Sequence, residues 1–205
     1  MAQNAEAVCN IALVALGENK ITTLDTDDGS YESEEAAACA TLYPQAKLEL
    51  LEAADWPFAR EASLLSKQTA APDTGFTAKF TLPADCVKPQ EVVDGTLYTH
   101  SPVTWRRYGN EIHADRDSVT LHYTKDVEVG LWPTYFVQAV AMELARQLAL
   151  SFNKTSTDID RFELRAEKTR MHAMQRGVTE EPAQSLPTYD MRRDPFGTLM
   201  RGWSS

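Results

Sequence analysis

The sequence lacks several features that would each assign a function class. No apolar run reaches the ~20 residues a membrane-crossing helix needs. The N-terminus has no basic segment followed by an apolar stretch, so no secretory signal is expected. Cysteine is scarce. Cys9, Cys39 and Cys86 are widely separated, form no CxxC pair and sit among apolar or small neighbours. That pattern points to buried free thiols in a reducing compartment. No GxSxG, Walker loop, HExxH or GxGxxG occurs. The four histidines, His100, His113, His122 and His172, are scattered. His113 and His122 are placed to face each other across paired strands, but two imidazoles fall short of a metal's ligand set. Cys86 follows Asp85 at a corner with no activating base in view. The acidic turn Asp25-Thr26-Asp27-Asp28-Gly29 lacks the alternating ligands and closing glutamate of a calcium loop. No catalytic residue, metal ligand or cofactor is therefore expected. An excess of basic charge is also missing: the formal net charge is −10, which argues against a surface that as a whole seeks nucleic acid.

What is present is an ordinary globular composition with an uneven charge. The 205 residues suffice for one or two domains with a real core. Through Thr99 the acids outnumber Lys and Arg by ten, and beyond it the two balance. The acidic excess thus lies in the first half, and arginines gather in the second.

Periodicity divides the chain. Val8, Ile11, Ala12, Ala15 and Leu16 mark a first helix over about 3–17, stopped by Gly17. A second helix starts near Ser30 or Ser33, with Glu34 and Glu35 at its positive end. Its stripe is Ala36, Cys39, Ala40, Tyr43, Ala46, Leu50 and Ala53, and Pro44 inside it predicts a kink or break. Trp56-Pro57-Phe58 stops this helix, because Pro57 biases Trp56 out of the helical region. These three residues are the expected structural anchor, with Trp56 and Phe58 buried near the bundle end.

After a polar connection over 66–75, alternation takes over. Phe76 to Leu82 predicts a strand, Leu82 to Cys86 a corner, and Val92 to Tyr98 a hairpin about Asp94-Gly95. Trp105 to Ala114 predicts a second hairpin about Gly109-Asn110, and Val119 to Tyr123 a last strand. A third helix follows Trp132-Pro133, with the stripe Val137, Val140, Ala141, Leu144, Leu148 and Phe152. A fourth begins around Thr157-Asp158 and is closed by Gly177, with Ile159, Phe162, Ala166, Thr169 and Ala173 facing one way. The expected class is α+β, mainly helical. An antiparallel bundle, 1–75 and 130–177, carries an inserted antiparallel β domain, 76–125, and an extended tail, 178–205.

Two segments suggest partners. On helix four, Arg161, Arg165, Lys168, His172 and Arg176 line one face. This is either a solvated face in which Glu163 and Glu167 supply helical ion pairs, or a docking face for an acidic surface, including a neighbouring copy's acidic first half. The tail combines Pro182, Pro187 and Pro195 with Tyr189, Arg192, Arg193, Phe196, Leu199, Arg201 and Trp203. Prolines keep a chain extended, so less entropy is lost on docking, and aromatics and arginines are frequent interface anchors. The tail is expected to order on a partner.

The ordered motifs resemble one family. They are Val8 to Gly17, Ile21, Thr23-Leu24-Asp25, Glu34 to Cys39, Tyr43, Leu50-Leu51, Trp56-Pro57-Phe58-Ala59 and Leu82-Pro83-Ala84-Asp85-Cys86. Tyr123, Trp132-Pro133, Phe136 and Met142-Glu143-Leu144-Ala145 continue the series. Together they resemble the tail tubular protein A family of short-tailed bacteriophages, the head-to-tail adaptor or gatekeeper proteins, over roughly residues 5–150. The resemblance implies a homo-oligomeric ring, a dodecamer, made in the host cytoplasm and housed at the head–tail junction of the virion. The portal protein would lie above it and the tail nozzle below. DNA would pass through the lumen without specific binding, which an acidic wall would favour by repelling phosphate. The resemblance implies no catalysis and no membrane contact. The tail beyond Gly177 lies outside it. Two alternatives stay open: another neck or tail-completion protein of a longer-tailed virion, and an enzyme of unknown type.

Overall fold

A computed structural model describes residues 4–24, 30–94 and 103–180. Among the described residues, four α-helices and six strands occur in the order α1 (Ala5–Leu16), α2 (Glu34–Ala53), β1 (Arg60–Leu64), β2 (Ala78–Thr81), β3 (Cys86–Asp94), β4 (Trp105–Tyr108), β5 (Glu111–Ala114), β6 (Val119–Lys125), α3 (Thr134–Ser151) and α4 (Ser156–Glu180). The class is α+β: four packed helices and two small three-stranded antiparallel sheets. Among the described residues no helix is long and apolar enough to cross a membrane.

The helix ends follow local chemistry. Asn4 accepts a hydrogen bond from the Ala7 amide and Ser33 accepts one from the Ala36 amide, so each caps its helix. Gly17 ends α1 in the left-handed region, at φ +76°, with amide hydrogen bonds back into the last turn. The expected kink or break at Pro44 is not a break: α2 runs through it. Pro44 is exposed, so water can satisfy the Ala40 carbonyl that loses its donor. Ala53, expected in the buried stripe, is exposed, because α2 ends there.

Helix α3 is the centre of the helical layer and packs against α1, α2 and α4. Phe136, Val140, Ala141, Leu144 and Leu148 on α3 are fully buried, with Val8 and Leu13 of α1 and Leu50 and Leu51 of α2. A second, separate cluster fills the space between the sheets. In one sheet β6 lies between β1 and β3; in the other β5 lies between β2 and β4. Val119, Leu121 and Tyr123 of β6 meet Phe80 of β2 and Ile112 and Ala114 of β5 in that core.

Three strand assignments differ from expectation, one of them β3, which starts at Cys86 rather than Val92. The β structure begins at Arg60 rather than Phe76, because β1 adds to the edge of β6 and pairs Arg60 with Thr124 and Leu64 with Thr120. The expected Phe76 strand starts at Ala78. The second hairpin and the last strand form as expected, with Gly109 at φ +60° in the turn. The hairpin about Asp94-Gly95 and the acidic turn Asp25 to Gly29 lie outside the described residues. Register shifts along β3 flank Lys88 and Pro89, where proline supplies no ladder donor.

Polar side chains join the two layers. Asp55 follows α2 and accepts hydrogen bonds from Arg60 of β1, at 2.8 and 2.5 Å, and from Gln90 of β3 at 2.7 Å. The Arg60 hydrogen bond, helped by Gln90, holds the Asp55 carboxyl below the ordinary carboxylate range. Lys47 of α2 pairs with Asp126 at 2.7 Å.

Candidate assembly surface

The Trp56-Pro57-Phe58 anchor is a junction of three helices. The Trp56 ring is 1% exposed. It meets Phe136 edge-on at 5.0 Å between centroids and stacks near Tyr135 at 6.4 Å. Its indole N–H donates to the Leu50 carbonyl at 2.7 Å, and Lys88 donates to the Glu52 carbonyl at 2.9 Å. The last carbonyls of a helix have no partner inside it, so this tryptophan and this lysine together cap α2. Phe58 packs edge-on against Phe136 at 4.8 Å but is only half-buried, unlike the full burial expected of it, because it follows Pro57 in a short 3-10 turn at the rim of the core.

The anchor also sets the course of α4. Gly177, expected to close the helix, lies inside it: α4 continues to Glu180. Gly177 is buried against the anchor, and a Cβ there would stand 3.5 Å from Pro57 Cδ and 3.6 Å from Trp56 Cε3. Those are ordinary contact distances, so the site would hold a methyl group, and the glycine does not end the helix. The start also moves: the Thr155 hydroxyl accepts from the Asp158 amide, so Thr155 caps the helix rather than Thr157 or Asp158. The Tyr135 hydroxyl donates to Glu180 at 2.8 Å, which ties the last turn to α3.

Phe162, Ala166, Ala173 and Gly177 form the buried side of α4. Arg161, Arg165, Lys168, His172 and Arg176 are all exposed, as a basic edge. Glu163 and Glu167 do not neutralise it. Glu167 pairs with Arg170, and Arg161, Arg165, Lys168 and Arg176 form no ion pair among the described residues. The edge is solvent-exposed, as a solvated face would be, but the helical ion pairs expected from Glu163 and Glu167 do not form with it. Tyr189, Arg192, Arg193, Phe196, Leu199 and Trp203 of the expected docking tail lie outside the described residues.

The groups considered for chemistry are dispersed. His113 stands on β5 of one sheet and His122 on β6 of the other, so they do not face each other across paired strands. His113 is instead held in place by Thr74 at 2.7 Å, Glu111 at 3.2 Å and the face of Tyr108. Cys9 and Cys39 are buried, and Cys86 is half-buried. The neighbouring Cys39 thiol, then burial, push the Cys9 thiol up, and burial pushes Cys86 up; both shifts oppose a reactive thiolate. Among the described residues no three His, Cys, Asp or Glu side chains are grouped to hold a metal.

No family model matches this chain, and no curated protein matches it.

Proposed function

We propose that this chain is a structural head-to-tail adaptor of a short-tailed bacteriophage virion, a ring between portal and tail nozzle through which DNA passes. The observation that carries an assembly role is the outer surface of α4. Four cations stand there without carboxylate partners among the described residues, on a chain whose first half is acidic. Unpaired surface charge of this kind steers docking and fixes register. The ordered motifs from Val8 to Ala145 supply the identity of the assembly.

The test is negative-stain imaging of the pure protein, with and without portal protein. Rings, alone or seated on portal, are the expected result. Particles of monomer size in both samples would remove the proposal. A ring that binds a tail tube instead of a nozzle would place the chain among longer-tailed virions.

The same proposal assigns the tail from Glu181 to portal or to a neighbouring subunit. Truncation has to be made after Glu180, because a cut after Gly177 removes the turn that bonds Tyr135. The shortened chain is expected to keep its melting temperature and to bind portal at least ~10-fold more weakly, about 1.4 kcal/mol. Portal affinity equal to that of the full chain would show that the tail does not dock there.

A further inference from the structure

The exposed side of α4 carries a second pattern beyond the basic edge. Leu164, Met171 and Val178 are 57%, 52% and 73% exposed. They are spaced by seven residues, two helical turns, and so form one apolar line along the helix. The basic edge runs along one side of this line. Along the other side lies an open groove of about 360 Å³ between α2, α3 and α4. Four glutamates line it, Glu49, Glu143, Glu163 and Glu167, against two arginines, Arg146 and Arg170. Both arginines are already engaged, Arg146 with Glu143 and Arg170 with Glu167. Glu163 has no ion-pair partner among the described residues.

We infer that the occupant of this groove is the basic edge of a second copy of the same chain, packed head to tail. The inference rests on the ring reading above and names its lateral interface. Charge supplies the match: unpaired Arg161, Arg165 and Lys168 on one flank, an acidic concavity on the other, and an apolar line between them to be covered. Direction follows from helix geometry. Arg161 and Arg165 each lie two residues from Glu163, about 160° round the axis at 100° per residue. The two flanks therefore face opposite ways, and one neighbour cannot fill both. Each copy gives its basic edge to one neighbour and its groove to the other. Such a heterologous contact builds rings when the rotation closes. The acidic partner surface is thus narrower than the acidic first half as a whole: Glu49 comes from that half, and the other three glutamates come from α3 and α4.

Complementary charge reversal tests this. Variant one is Arg161→Glu with Arg165→Glu; variant two is Glu163→Lys with Glu167→Lys. Native mass spectrometry reads the oligomer, and circular dichroism checks that each variant folds. Wild type is expected to form closed rings. Each variant alone is expected to need at least 10-fold more protein to assemble, because like charges then meet. An equimolar mixture is expected to restore rings, with the two variants in equal number. Rings from either variant alone at wild-type concentration would overturn the interface while leaving the ring reading intact. A wild type that stops at dimers, or forms no ring even with portal protein present, would overturn both. Should variant two fail to fold, Met171→Glu replaces it. That substitution sits at an exposed position and is expected to block assembly by itself, and normal assembly would overturn the inference.

Discussion

Trp56→Ala is expected to cost the protein about 3–5 kcal/mol, the range for removing a fully buried large aromatic. The ring is almost completely enclosed and contacts Phe136 and Tyr135 of α3, Pro57 and Gly177. Removing it opens a cavity where α2, α3 and α4 meet, and little can move to fill it, because Gly177 has no side chain. The Leu50 carbonyl also loses its donor. Trp56→Phe separates the two contributions: it keeps most of the apolar contact and is expected to cost about 1–3 kcal/mol through the unsatisfied carbonyl. Urea unfolding followed at 222 nm gives both values. A loss below about 1 kcal/mol for the alanine variant would mean that the three-helix junction does not depend on this ring.

Phe80→Ala is expected to cost a similar ~3–5 kcal/mol but in a different place. Phe80 is fully buried in the β core, which shares no residue with the helical core. The links between the layers include Asp55 with Arg60 and Gln90, and Lys47 with Asp126, whose charged ends are partly exposed. Exposed pairs contribute about 0–1 kcal/mol each. The damage should therefore stay local: amide exchange rises in Ala78–Thr81, Glu111–Ala114 and Val119–Lys125, while α3 keeps its protection. Equal loss of protection in α3 would show that the two layers unfold as one unit.

Most of the architecture was legible where the chain repeats a pattern. The α3 stripe predicted six buried positions; five are buried, and Phe152, which stands at the C-terminal cap of the helix, is only half-buried. The hairpin about Gly109 was carried by its turn residues, and β6 by its alternation. Strand β1 was not legible, because Arg60–Leu64 has little apolar character and its side chains are mostly exposed; only pairing with β6 makes it a strand. The length of α4 was missed for a related reason. Glycine reads locally as a stop, but α4 runs through Gly177, which packs against Trp56, more than a hundred positions away. The basic edge could be read from spacing on one helix. The acidic groove could not, since Glu49, Glu143 and Glu163 come together only when three helices pack.

The central position of α3 has a consequence for synthesis on the ribosome. Helices α1 and α2 bury their apolar faces largely against α3, which is made only after the whole β segment. Among the described residues every strand of the two sheets is complete by Lys125, so the β core can close while α1 and α2 still wait for their partner. Long-range contacts of this kind slow folding, because chain entropy is lost before they form. During that interval Val8, Leu13, Leu50, Leu51 and Trp56 are uncovered on the nascent chain. Such surface is what trigger-type chaperones bind and what aggregates at high expression. Arrested chains ending near Lys125 would expose it permanently, and chains long enough to free Ser151 from the exit tunnel would not.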